Sequence, residues 1–588
     1  MLEPQKRSSL YDVLRPPTGL ELDCLVVTTY SASLDTVLTL PAAMLVDGID
    51  ARGSKAGGFT PADLAALKRI CSRTAIFCHG GAIHSAERVP PAIIEAEQIV
   101  HQVRAPGGGN FHPKTWVMRY RRHDGGRSMV RVAVMSRNLT GDNSWDAGIV
   151  LESSGTLGNA VRNELGDLLR MLPGCCVRPL PRDRLALLEQ LAKEVEQVKW
   201  RIPAGMTKPT FHLVGCRPGD GWSQPESDRL AILSPFLTAP AIKIFEGSTG
   251  AIPWIVSKRD ALEQCWPALE QRVERKLVLA THDGSDGARP TQIHAKMLLW
   301  ERRGRTHLAI GSMNATTAAL SGRNVEFMVR ADCTAMLGGA GIDSILDSTH
   351  LGRVVEDFAP EPAGEPATLP FDDREARSYL LAAQLHLDCT DSEQGWEVRL
   401  VPSQPMGEVD TLLPDLRFRP VTLAASRAGR CDGALSRGEP ALLPGLVPLA
   451  ELTGFTAFEA DGPDGPIAFV LNLEVRGVPD EARRAAALKT LLPDDRSFGE
   501  FLRILLGDFS ALEVVSVSDG GGTSPGEWRA AGQTGLLELL IRCAADEPER
   551  LASIEQTLSA FDPEEFELVT TQAFRELWSA VLASARRR

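Results

Sequence analysis

Residues 292–332 read QIHAKMLLWERRGRTHLAIGSMNATTAALSGRNVEFMVRAD. Three short apolar runs lie here, at MLLW, HLAI and FMV, and their length and composition predict buried strands of an α/β sheet. His294 and Lys296 stand two residues apart, so on an extended chain both side chains point to one side. The second strand ends in Gly311-Ser312-Met313-Asn314, and the third opens on Glu326. An imidazole, an ammonium, a hydroxyl, a carboxamide and a carboxylate are thereby aimed at one place.

The same order occurs earlier in the chain. FHPKTWVMRY (111–120), RVAVMSRNLT (131–140) and WDAGIVLES (145–153) supply His112, Lys114, Ser136, Arg137, Asn138 and Asp146. Upstream, LDCLVVTTYSASLDTVLTLP, TAIFCHGGAI and a helical stretch PAIIEAEQIVHQVRAP match RLAILSPFLTAPAIKIF, IPWIVSKRDALEQCW and KLVLATHD of the later half. A repeat of pattern on this scale predicts two copies of one sheet-and-helix unit, with His-x-Lys on a strand in each. The first unit is placed at 1–200, closing on a connecting helix at 185–200, and the second at 201–360. The stretch APEPAGEPATLP (359–370) reads as a linker. Beyond it, 371–480 reads as a β-rich accessory domain and 481–588 as a helical one. Within the latter, SDGGGTSPGE (518–527) reads as a flexible loop and lacks the Lys-Ser/Thr of a phosphate-binding loop.

Two imidazoles, two ammonium groups and two carboxamides suit cleavage of a phosphodiester. One neutral imidazole can attack phosphorus, and a second, protonated one can donate to the leaving oxygen. Lysines and carboxamides can stabilise the non-bridging oxygens, with Ser136, Ser312 and Arg137 as further phosphate contacts. Eleven cysteines and eleven histidines are scattered without metal-ligand spacing, so the reading calls for no metal and no cofactor.

The pattern HxK followed by SxN, present twice, resembles the phospholipase D superfamily. The second copy is close to that family's form, with Glu301 where the family usually has Asp, then GSMN and Glu326. The first copy has Arg119 at that Asp position. Its HxK…SxN pattern and the run SRNLTGDNSWDAGI are similar to the tyrosyl-DNA phosphodiesterases. The resemblance spans roughly 20–360 and implies a pseudo-dimeric α/β core with the site between the halves. It also implies a covalent phosphohistidine, with His112 as nucleophile and His294 as acid/base, or the reverse, and Asp146 and Glu326 orienting the imidazoles, within each half or crosswise between the halves.

The chain carries a net charge of −13, but unevenly: 361–588 holds 38 acidic and 21 basic residues, a balance of −17, leaving +4 for 1–360. Lys114, Arg119, Arg121, Arg122, Arg127, Arg131 and Arg137 crowd the first motif. They suit a polyanion, DNA ahead of RNA, and equally suit an ordinary solvated surface. The acidic region suits a protein partner or a cover over the basic half. No apolar run reaches membrane-spanning length and no signal peptide is read at the start, so a cytoplasmic enzyme without a membrane partner is expected. A nuclease or DNA-processing enzyme, in bacterial defence or repair, is the leading reading. A lipid hydrolase and a non-catalytic scaffold are the alternatives. Trp116, Trp145 and Trp300 read as core before base-stacking groups, His79 and His84 as lining the pocket mouth or as exposed loop residues, and Cys78 as a core thiol.

Overall fold

The computed structural model describes residues 10–45, 59–280, 292–360, 373–509 and 525–586, apart from 123–125, 127, 143, 159, 218, 349 and 464. Arg127, residues 361–370 of the linker and 518–524 of the glycine-rich loop lie outside them.

The apolar runs of the first half become β1 (Leu20–Thr29), β2 (Thr74–His79), β3 (Val100–Val103), β4 (Thr115–Arg122), β5 (Met129–Met135), β6 (Gly148–Leu157) and β7 (Val198–Arg201). They form one sheet in the order β7-β6-β5-β4-β1-β2-β3. The second half supplies β8 (Thr207–Val214), β9 (Ser227–Leu233), β10 (Thr249–Val256), β11 (Val273–Leu279), β12 (Met297–Arg302), β13 (Arg305–Gly311), β14 (Glu326–Asp332) and β15 (Val355–Asp357). Their order is β8-β14-β13-β12-β9-β10-β11-β15. Over six strands, β6-β5-β4-β1-β2-β3 and β14-β13-β12-β9-β10-β11, the orders are the same, and so are the directions; the flanking strand closes the first repeat as β7 and opens the second as β8. β1, β2 and β3 run parallel, as do β9, β10 and β11. The other neighbours are antiparallel in both sheets. The fold is thus an α/β core of two like repeats.

Period-two alternation decides which face each residue buries. Along β12, Met297 and Leu299 enter a core shared by both sheets. Leu298 and Trp300 between them pack on the helices Ala239–Glu246 and Arg259–Leu269. On β4, Val117 joins the shared core, while Trp116, Met118 and Tyr120 face the outer helices of the first repeat. Trp116 and Trp300 are therefore core residues, 1% and 4% exposed. The connecting helix runs Arg182–Val195 and lays Leu188, Leu191 and Val195 into the shared core.

The position at which the two motifs differ is structural. On β12, Glu301 lies opposite Arg229 and accepts a hydrogen bond from it at 3.2 Å. On β4, Arg119 carries the opposite charge and donates to Asp23 at 2.5 Å and Glu194 at 2.7 Å. Both repeats keep an ion pair there, with the signs exchanged.

Two local readings differ from the sequence expectation. The stretch 91–106 is not one helix: a 3₁₀ segment, Pro91–Gln98, gives way to strand β3. Ile99, Val100 and Val103 are buried, and β-branched residues fit a pleated, enclosed strand better than a helix turn. The His-x-Lys triplets are not within strands but in the extended segments that enter them, ending one residue before β4 and β12.

The C-terminal residues are joined to the first repeat. Strands Phe455–Gly462 and Gly465–Asn472 lie in a sheet that continues into the two-residue strands Ile83–His84 and Ala32–Ser33. Arg483, 2% exposed, donates to both carboxylate oxygens of Glu97 at 3.1 and 3.0 Å. Helix Asp495–Leu506 and its neighbours pack on Ala62, Leu64 and Ala65 of the helix Pro61–Cys71. That helix starts where Thr60 and Asp63 form a reciprocal capping box followed by Pro61. Among the described residues, no helix is long and apolar enough to cross a membrane.

Candidate active site

The halves meet through two short parallel pairings that mirror each other. Phe111, just before His112, pairs with Val325, just before Glu326. Ile293, just before His294, pairs with Trp145, just before Asp146. The backbone N–H of His112 donates to the Val325 carbonyl at 2.9 Å, and that of His294 to the Trp145 carbonyl at 2.9 Å. Each histidine is thus delivered to the carboxylate of the other repeat. The run Gly107-Gly108-Gly109 permits the first pairing. A Cβ on Gly109 would stand 2.4 Å from the Arg323 carbonyl oxygen, closer than any side chain could be tolerated.

The side chains follow the same exchange. His112 Nδ1 lies 2.8 Å from Glu326 Oε2, and His294 Nδ1 lies 2.9 Å from Asp146 Oδ1. An ionised carboxylate only accepts, so each Nδ1 carries the proton and each Nε2 keeps its lone pair free. Burial first, then the Lys114 and Lys296 charges, outweigh Glu326 and hold His112 down to about 4. Burial and then the Lys296 charge do the same to His294, also about 4, against the pull of Asp146. Burial pushes the Asp146 carboxyl up, yet the bonds from His294 and Ser136 and the Arg137 charge leave it below its ordinary value.

Lys114 and Lys296 are 0% exposed. Each ammonium donates to the carbonyl of its own histidine, at 3.1 Å from Lys114 and 2.8 Å from Lys296. Burial drives Lys114 down to about 7 and Lys296 well below its ordinary value, the latter also through the Lys114 charge. Two desolvated lysines whose charges act on each other are stabilised by an anion, which restores the counter-charge burial removed.

Asn138 and Asn314 occupy like positions after β5 and β13. Among the described residues, the Oδ1 atom of each is buried without a hydrogen-bond partner. An unpaired buried carboxamide costs about 1–3 kcal/mol. The orphan atoms are acceptors, so it is the amide N–H groups of the two side chains that could meet an anion.

The sequence reading offers Ser136, Ser312 and Arg137 as phosphate contacts, and their donors go elsewhere. Ser136 donates to Asp146 at 2.7 Å and accepts from the Ala147 N–H at 3.0 Å. Ser312 donates to Glu326 at 2.5 Å and accepts from the Phe327 N–H at 3.0 Å. Both serines are 0% exposed. Arg137 donates to Asp146 at 3.2 Å and to the carbonyls of Thr140 and Asp142. All three hold the carboxylates in place. The basic run around the first motif is likewise engaged: Arg119 as above, Arg121 with Glu21, and Arg131 with Glu152. Those three charges are balanced on the spot.

Two residues, Asn324 and Tyr30, escape the sequence reading. Asn324 donates to Glu326 at 3.4 Å and accepts from the Asn110 N–H at 2.9 Å. Its position two before Glu326, on the same side of an extended chain, is a signal that could have found it. Tyr30 stacks on His79 with 5.2 Å between ring centroids and leans on His112 at 5.4 Å. The Lys114 ammonium lies 5.8 Å from the Tyr30 ring. His79 Nδ1 accepts the Phe111 N–H at 3.2 Å, so it supports the segment that carries His112 rather than lying in an open loop. His84 is exposed, and Cys78 is a buried thiol that burial pushes far up.

No family model matches the sequence, and no curated protein matches it. Among solved structures, one mutant of yeast tyrosyl-DNA phosphodiesterase 1 overlaps 56% of this chain and 86% of its own, with TM-score 0.36 and 12% identity. A second mutant of that enzyme overlaps 55% and 84%, with TM-score 0.34 and 13% identity. A polyphosphate kinase from Porphyromonas gingivalis overlaps 53% and 40%, with TM-score 0.27 and 11% identity. Overlaps this loose carry no functional weight.

Proposed function

We propose that this chain is a phosphodiesterase of the phospholipase D type that works through a covalent phosphohistidine and acts on nucleic acid. The observation that carries the reading is the pair of histidines, each bonded through Nδ1 to the carboxylate of the other repeat, above two buried lysines.

The chemistry runs in two steps. The phosphodiester anion enters against Lys114, Lys296 and the carboxamides of Asn138 and Asn314. His112 Nε2 attacks phosphorus, the bond to the leaving oxygen breaks, and protonated His294 gives that oxygen its proton. His294, now neutral, takes a proton from water as the water oxygen attacks phosphorus. The phosphorus–nitrogen bond then breaks, and His112 is restored. The negative substrate favours protonation of His294 in the complex, which its position in the free site does not. Exchanging the roles of the two histidines changes none of the geometry.

Nucleic acid is preferred over lipid because SRNLTGDNSWDAGI resembles the tyrosyl-DNA branch and the first 360 residues carry a positive balance. The test is cleavage of labelled single- and double-stranded DNA and RNA, in EDTA, by the wild type and His112→Ala. Cleavage that disappears in the variant supports the reading. Cleavage that survives in His112→Ala overturns the mechanism, and cleavage of a phospholipid with none of any nucleic acid overturns the substrate class.

A further inference from the structure

The two repeats allow one position to be compared with its own counterpart. After the central strand β1, the chain turns through Tyr30 and Ser31 and pairs Ala32 with Leu139, the residue after Asn138. After β9, it turns through Ser234, Pro235 and Phe236 and pairs Leu237 with Ala315, the residue after Asn314. Ser31 and Phe236 therefore occupy equivalent places. Ser31 is 8% exposed and precedes the strand Ala32–Ser33, which the C-terminal sheet extends. Among the described residues no strand extends the sheet at Leu237 in this way, and Phe236 is 44% exposed.

The Phe236 turn is tied to the catalytic loop. Ser234 donates to the Phe236 carbonyl at 2.7 Å and accepts the Ala315 N–H at 2.9 Å. The Lys258 ammonium lies 4.8 Å from the centroid of the Phe236 ring. Lys258 is also near enough to the buried Lys296 for its charge to act on it. An exposed aromatic face with a cation beside it thus stands at the Asn314–Ala315 loop, on the second-repeat side of the site. An aromatic beside a cation is a common means of holding a single-stranded base and its phosphate.

We propose that Phe236 is a stacking platform for a nucleobase adjoining the scissile phosphate, with Lys258 on the phosphate flank. The platform rests on the nucleic-acid reading above and adds the requirement for an unpaired base next to the cleaved bond.

The test uses the full chain carrying His112→Asn, which binds without turnover, and two fluorescent single strands of equal length: oligothymidylate and a fully abasic strand. Each variant must first show the same thermal unfolding midpoint as its parent, which an exposed ring should allow. Phe236→Ala is expected to weaken oligothymidylate binding about 5- to 100-fold, the range of one lost stacking contact. It is expected to leave the abasic strand within about 2-fold, and Phe236→Trp restores the preference. Equal weakening of both strands, or none, overturns the platform and leaves the nucleic-acid reading standing. If the Phe236 parent binds neither strand, the nucleic-acid reading falls and the platform with it.

Discussion

Glu326 belongs to the second repeat, yet its carboxylate lies 2.8 Å from Nδ1 of His112 in the first. Ser312 and Asn324 fix the same carboxylate from their own repeat. The imidazole therefore has one tautomer and one orientation only while the repeats are docked, so on the proposed mechanism activity and assembly of the core stand or fall together.

Glu326→Gln keeps the size of the side chain but can no longer accept at both oxygens or stabilise a charged imidazole. Its kcat is expected to fall roughly 100- to 10,000-fold, the range for losing the orienting carboxylate of a catalytic histidine, with KM nearly unchanged. Steady-state hydrolysis of bis(p-nitrophenyl) phosphate measures both. A kcat within a few-fold of wild type would deny Glu326 its role.

Lys114 titrates near neutrality because burial holds it down to about 7. Above that pH it is neutral and binds an anion less well, so KM is expected to rise from pH 7 to 9. Lys114→Arg keeps its charge throughout, and the rise should vanish in it even if its maximal rate is lower. A pH profile of KM for both proteins decides this, and parallel profiles would contradict it.

The two histidines also set the acid side of stability. Their folded values, about 4, lie below the ordinary 6.5, so the folded state resists their protonation. Their contribution is full above pH 6.5 and is lost as pH falls towards 4, at most on the order of 3 kcal/mol each. Urea unfolding at pH 7 and pH 5 should show wild type losing more stability than the double variant His112→Asn/His294→Asn. An equal loss would remove the histidines from the balance.

Arg483→Met leaves Glu97 buried beside a neutral side chain. Breaking one partner of a buried pair costs about 3–5 kcal/mol. The same carboxylate also accepts from Thr453 and the Gly454 N–H, so the join between the first repeat and the C-terminal residues weakens there. The variant is expected to melt several degrees lower and to lose activity with its fold. A truncation before residue 373 would expose the same surfaces. On this view it is insoluble or inactive, not the more active form that a simple acidic cover would leave behind.

The chemistry-bearing residues were legible in the sequence because each repeat spaces them on extended chain, where position alone states direction. His112, Lys114, Asn138 and Asp146 needed only their second copy to stand out. The exchange of carboxylates was not legible from the residues, since it depends on Phe111 pairing with Val325 and Ile293 with Trp145, contacts between distant segments that carry no local signal. The serines and Arg137 were legible as site residues but not as supports for carboxylates, because their partners are set by which strand lies beside them. The arginines after the first motif show the same limit: Asp23, Glu152 and Glu194 neutralise Arg119 and Arg131 only once the sheet is formed. The segment 91–106 misled because its alanines and glutamates favour a helix, while its burial on both sides favours strand β3.

The central claim is a covalent bond from phosphorus to His112 that His294 helps to break. The direct measurement is acid-free denaturing quench of a reaction with an end-labelled oligonucleotide, followed by peptide mapping of the label, in wild type, His294→Asn and His112→Asn. The account predicts label on His112 that builds up in His294→Asn and is absent from His112→Asn. Label on His294 instead would reverse the two roles, and turnover with no label on either histidine in any of the three proteins would contradict the mechanism.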